Sequence, residues 1–137
     1  MEFLLKDFNL IYLAAMIVSG AILARPLFAG LFTFGKEIGT LEATQLINKN
    51  ALLIDVREAK DFSEGHIPGA KNVPMQELES RSGDFKKYME KPVIVSAGTA
   101  SQANKAIQIL TKKQFTQLYQ LKGGLASWRE ANLPIER

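Results

Sequence analysis

From Phe8 to Ala24 (FNLIYLAAMIVSGAILA) the chain runs for seventeen residues without a charge. Arg25 and Pro26 interrupt it, and Leu27 to Gly35 (LFAGLFTFG) is apolar again. A bilayer core takes roughly 20 helical residues. Seventeen reach about 25 Å at about 1.5 Å each, and the Arg25 guanidinium can extend that by reaching to the interface. The pattern predicts one membrane-spanning helix over about 7–25, ended by Pro26, within an anchor of residues 1–35. Phe28, Phe32 and Phe34 would lie in the headgroup zone. Glu2 and Asp7 against a lone Lys6, with no small-x-small site after Ile22, argue against a cleaved leader. A segment apolar on every face and outside the following domain argues against a buried helix of a soluble protein. Small residues four apart (Ala15/Ser19, Gly20/Ala24) read as lipid-facing positions before they read as a helix-packing seam.

Beyond Gly35 short apolar runs alternate with amphipathic stretches. Thr40 to Asn48 reads as a helix with Leu41, Ala43, Leu46 and Ile47 near one side. Leu52 to Val56 (LLIDV) and Val93 to Ser96 (VIVS) are continuous runs, the mark of strands covered on both faces. Short helices are expected over 58–63, 76–81 and 84–90, the last two separated by Gly83. A brief strand is expected near Val73. Ser101 to Lys113 is an amphipathic helix with Ala103, Ala106, Ile107 and Leu110 inward. Phe115 to Leu121 reads as a third main strand, and Gly123-Gly124 leads into a last helix around 125–131, stopped by Pro134. Strands alternating with helices imply an α/β domain over 36–137, with a small, mostly parallel sheet flanked by helices.

Composition narrows the chemistry. The 137 residues carry 47% apolar and 23% charged side chains and a net charge of +3. With no run of five basic residues, nucleic-acid binding has little support. There is no cysteine, so neither a thiolate metal site nor covalent sulfur chemistry is possible within the chain. His66 is the single histidine, and neither a metal nor a cofactor is expected. Lys86, Lys87, Lys112 and Lys113 read as helix-solvating charges. Arg25 and Lys36, set against Lys6 and the amino terminus, favour a C-terminal domain in the cytoplasm.

Several polar residues stand at telling places. Asp55 and Arg57 follow a buried strand, where open α/β sheets gather ligands; hydrogen bonding to loop backbone is the role favoured for them. His66 lies in Gly65-His66-Ile67-Pro68-Gly69, a turn stiffened by Pro68 and eased by its glycines, and is expected to organise that loop. Trp128 is expected to pack in the core or cover the sheet end.

The stretch Leu53-Ile54-Asp55-Val56-Arg57-Glu58, then Phe62, then Gly65 to Ala70 with Asn72-Val73-Pro74, resembles the rhodanese (sulfurtransferase) domain family. So does Leu121-Lys122-Gly123-Gly124-Leu125 with Trp128. The resemblance covers about residues 38–135, and an anchor before a single such domain is similar to small bacterial inner-membrane rhodanese-like proteins. It implies Asp55, Arg57, His66, Gly69, Gly124 and Trp128 as framework. It also implies that the strand Val93–Val95 should deliver a cysteine into a loop reading Cys-x-x-Gly-x-Arg, whose amides and helix dipole stabilise a persulfide. Here the loop reads Ser96-Ala97-Gly98-Thr99-Ala100-Ser101, with Ser96 at the cysteine position, Ser101 at the arginine position and Thr99 at the glycine position, unless the register slips by one and Gly98 takes the glycine's role. A serine hydroxyl is far less acidic than a thiol of pKa about 8.5, and oxygen cannot carry sulfur as a persulfide.

The expectation is therefore a catalytically inactive, membrane-anchored module that binds a protein partner at the bilayer. Two alternatives remain open. One is a sulfurtransferase-pathway protein that borrows a partner's thiol. The other is a small-anion sensor using the backbone donors of the Ser96–Ser101 loop.

Overall fold

The computed structural model describes residues 11–12, 14–17 and 33–137. Residues 11–12 and 14–17 are helical and exposed. The rest of the membrane-spanning helix expected over 7–25 lies outside the described residues, as do Phe28 and Phe32. Among the described residues no helix is long and apolar enough to cross a membrane. A compact unit spans Thr33–Arg137.

That unit opens with a strand absent from the expected pattern, β1 (Thr33–Ile38). Phe34, expected among lipid headgroups, is a strand residue, 54% exposed. The chain continues through α1 (Thr40–Asn48), β2 (Leu52–Asp55), α2 (Ala59–Glu64), β3 (Lys71–Asn72), α3 (Met75–Arg81) and a 3₁₀ helix (Ser82–Tyr88). It ends with β4 (Pro92–Ser96), α4 (Ala100–Lys112), β5 (Gln117–Leu121) and α5 (Gly124–Glu130). The five strands form one sheet in the order β1-β5-β4-β2-β3. Each neighbouring pair is parallel.

Successive residues of a strand point to opposite faces, and here both faces are covered. Leu52, Ile54, Val93, Val95 and Leu118 feed one core, closed by Leu78, Phe85, Ala106, Ile107 and Leu110. Leu53, Ile94, Leu121 and Ile38 feed the other, with Ala43, Ile67 and Trp128. This explains why β2 and β4 show no polar alternation.

Two expectations change. Leu41, placed with the inward residues of α1, is 73% exposed, and Ala43 is the buried residue of that helix. Gly83 does not separate two helices, because the 3₁₀ helix runs through it from Ser82.

Candidate functional site

Because all strands are parallel, the loops after β4 and β5 emerge side by side at one end of the sheet, the usual ligand end of such sheets. The β4–α4 loop and the β5–α5 turn enclose a cavity of about 150 Å³. Its walls include Ala97, Gly98, Thr99 and Ala100 on one side, and Lys122, Gly123 and Gly124 on the other. Glu37 of β1 and Gln120 of β5 complete it. This cradle is small beside drug-sized pockets of roughly 300–1,000 Å³.

The two loops touch at their backbones. Gly124 adopts φ +54, and a Cβ placed there would lie 2.5 Å from the Ala97 carbonyl oxygen. Glycine at this position therefore lets the β5–α5 turn pack against the β4–α4 loop.

The helix start is largely satisfied by its own side chains. Thr99 caps α4, its Oγ1 accepting from the Gln102 N–H at 3.2 Å, while Gln102 Oε1 accepts from the Gly98 N–H at 3.3 Å. This is a variant of the capping box, with the return bond made one residue earlier. It withdraws one of the loop donors expected for an anion, the Gly98 N–H, along with the neighbouring Gln102 N–H. Glu37 adds a carboxylate to the wall, opposing the Lys122 charge. The loop carries no arginine.

Of the six loop residues expected at the site, Ala97, Gly98, Thr99 and Ala100 line the cradle, while Ser96 and Ser101 do not. Ser96 is the last residue of β4, 1% exposed and paired in register with Asp55. Its Oγ has no hydrogen-bond partner among the described residues. The strand's final residue faces a core, and the loop proper begins one residue later, at Ala97.

The motif residues form a polar frame beside the cradle. Arg57 grips the buried Asp55 carboxylate with Nε at 3.0 and 3.1 Å and Nη2 at 2.8 Å, while its backbone N–H donates to Oδ1 at 3.0 Å. Nη2 also donates to the Gly65 carbonyl at 2.8 Å. Asn72 Nδ2 donates to the Asp55 and Arg57 carbonyls at 3.2 and 3.0 Å, tying β3 to the end of β2. His66 stacks on Phe62, centroids 3.7 Å apart, and its Nδ1 sits 2.8 Å from the Phe62 carbonyl oxygen. A carbonyl can only accept, so that nitrogen carries the proton. The His66 backbone exchanges two bonds of 2.8 Å with Glu136. Trp128 Nε1 donates to the Pro134 carbonyl at 2.8 Å. Gly69, at φ +80, closes the Ile67–Ala70 turn, in which Ala70 N–H donates to Ile67 O at 3.1 Å. Asp55, Arg57, His66 and Trp128 thus bond loops and the C-terminal tail; none lines the cradle.

A model of the rhodanese-like domain matches residues 40–131. The chain belongs to the rhodanese-like domain family. It is 40% identical over 112 residues to the uncharacterized protein YibN of Escherichia coli, covering 80% of this chain and 78% of that one. It is 31% identical over 96 residues to the thiosulfate sulfurtransferase GlpE of Shewanella oneidensis, covering 67% and 93%. Among solved structures, a Rhodanese_3 like domain of an Anabaena protein superposes with a TM-score of 0.60 at 29% identity, covering 64% of this chain and 99% of that one. This rhodanese-like domain contains no cysteine. Among the described residues no cluster of histidine and carboxylates could hold a metal ion.

Sequence reasoning missed three contributors to the site. Glu37 escaped because no strand was expected over 33–38. Lys122 was seen only as part of a motif. Gln120 sits in a strand, yet it is 7% exposed and its Nε2 donates to Gly35 O at 2.9 Å and Asn104 Oδ1 at 3.0 Å. It thereby joins β1 and α4 across β5. The one available signal was a glutamine between apolar neighbours in a buried strand.

Proposed function

We propose that this is a membrane-anchored rhodanese-like domain that has given up sulfur transfer and serves as a protein-binding adaptor. The observation that carries the reading is the absence of any sulfur nucleophile in the 137 residues. Ser96, at the family's cysteine position by the motif, offers a hydroxyl in place of a thiol. The self-capped helix start and the Glu37 carboxylate further disfavour a sulfane-sulfur anion. A rigid domain held at the bilayer still raises the local concentration of whatever it binds. The anchor is the uncharged stretch 8–24, and Arg25 and Lys36 favour a cytoplasmic domain at an inner membrane.

The first test is activity. Purified protein is expected to release no thiocyanate from thiosulfate and cyanide; robust turnover abolished by Ser96→Ala would refute the reading. Ser96→Cys supplies a positive control. A thiolate there can attack the outer sulfur of thiosulfate, expelling sulfite and leaving a cysteine persulfide detectable by mass spectrometry. The second test is partnership: cross-linking in native membranes should yield a reproducible protein partner that is lost on deletion of residues 1–35.

The 31% identity to a protein named thiosulfate sulfurtransferase favours a second reading, in which the domain works in a sulfur pathway with a thiol supplied by its partner. Cyanide-dependent thiocyanate release that needs both proteins would select it.

A further inference from the structure

Six lysines gather at the end of the sheet opposite the cradle. Three adjoining hollows hold them: Lys86, Lys112 and Lys113 line the first, Lys86, Lys87 and Lys91 the second, and Lys49, Lys87 and Lys91 the third. The shared residues make the patch continuous. In the sequence these lysines are scattered over 65 positions; the fold collects them from the end of α1, the 3₁₀ helix, the approach to β4 and the end of α4. The only carboxylate in the walls of these hollows is Glu90. Lys113 approaches Glu79 at 4.0 Å, a loose and exposed pair that contributes little. Six lysines against one glutamate make +5, more than the +3 of the whole chain, so the rest of the molecule is net −2.

The chain joins the domain at this same end. The Thr33 N–H donates to the Thr116 carbonyl at 2.7 Å, and Thr116 lines the hollow of Lys86, Lys87 and Lys91. The uncharged stretch closes at Ala24, nine residues before Thr33, a span of at most about 30 Å fully extended. The parallel β1 then carries the chain away from the lysines to Glu37 in the cradle wall, about 13 Å further on.

We propose that the lysine-rich end is a docking face for the anionic headgroups of a lipid surface, holding the domain upright with its cradle turned away from the bilayer. The proposal rests on the anchor reading above. Phosphate-bearing headgroups fit a set of mobile ammonium groups, which need only charge and not the planar geometry that arginine would impose. A basic residue at such a surface contributes about 1 kcal/mol, or about fivefold in the docked-to-undocked ratio. Three lysines therefore account for about a hundredfold.

The absence of cysteine makes the full chain suited to single-site labelling. Gly83 lines the lysine patch and Gly39 follows β1 at the opposite end; a Cβ at either meets nothing within 4 Å. Full-length Gly83→Cys and Gly39→Cys proteins, each carrying a fluorophore, are reconstituted into phosphatidylcholine vesicles with or without phosphatidylglycerol and with a nitroxide on a tracer headgroup. Quenching is expected at Gly83 and not at Gly39, only in the anionic vesicles. It should fall to the neutral-vesicle level in about 1 M salt, where the Debye length is about 3 Å. Combining Lys86→Gln, Lys87→Gln and Lys91→Gln should lower it in the same way. Equal quenching at the two sites, or no dependence on phosphatidylglycerol, overturns the docking face while leaving the anchor intact. Failure to float with neutral vesicles instead overturns the anchor, and Gly83 quenching on anionic vesicles then still decides the docking face. Capture of polyglutamate by a patch that stays unquenched at the bilayer would assign the lysines to an acidic protein partner and overturn the lipid proposal.

Discussion

The hydroxyl of Ser96 is buried at the end of β4 with no hydrogen-bond partner among the described residues. An unsatisfied buried polar group costs about 1–3 kcal/mol. Ser96→Ala is therefore expected to leave stability unchanged or raise it by about 1 kcal/mol in urea denaturation; a loss above about 1 kcal/mol would mean that the hydroxyl has a partner in solution. Asp55 presents the opposite case. Its carboxylate is buried and held by the Arg57 guanidinium on two nitrogens. Arg57→Ala strands that charge and should cost about 3–5 kcal/mol. Arg57→Lys should recover only part of it, since an ammonium cannot bridge both carboxylate oxygens and reach Gly65 O as the planar fork does. The two aspects of Asp55-Val56-Arg57 were unequally legible. The motif announced a scaffold, but which backbone groups it ties down, Gly65 O and the β3 side chain Asn72, depends on loops brought together only by folding.

At the scale of elements, continuous apolar runs gave away β2 and β4, and an inward stripe gave away α4, because burial on both faces of a parallel sheet leaves those signatures. β1 left none. Ile38 is its one buried residue, the strand lies at the sheet edge, and its register with β5 shifts between Phe34 and Lys36. Its first residues also continue an apolar stretch, which hid where the strand begins. Leu41 misled for a related reason: it is apolar at the start of α1, but the sheet meets that helix through Ala43. The β5–α5 turn carries the sharpest prediction at this scale. Gly124→Ala forces a Cβ into the Ala97 carbonyl at a positive φ, and it should cost about 2 kcal/mol. The same substitution should shift the Ala97 and Gly98 amide resonances, whereas an effect confined to α5 would show that the two loops are not coupled.

For the molecule as a whole, the domain boundary is a physical quantity that can be measured. A protein beginning at Thr33 keeps β1 and is expected to unfold in one cooperative urea transition, followed by the fluorescence of the buried Trp128. One beginning at Gly39 uncovers the edge of β5 and removes Ile38 from the second core and Gly35 from Gln120. It should lose cooperativity or fall in midpoint; equal midpoints for the two would show β1 to be an appendage. The thiol-free cradle and the framework around it belong to different levels of the molecule. The framework residues set the shape of the fold, and losing a cysteine leaves that shape untouched.

The parallel pairing of β1 with β5 has a mechanical side. Any pull exerted through the N-terminal segment acts on Thr33 along the strand axis, toward the end from which β1 departs. Opposed by a load at the far end of the sheet, it shears the Thr33–Ile38 ladder as a unit, since every rung shares the tension. The edge strand that is hardest to see in the sequence is thereby the one that would take up any load applied through the segment before it.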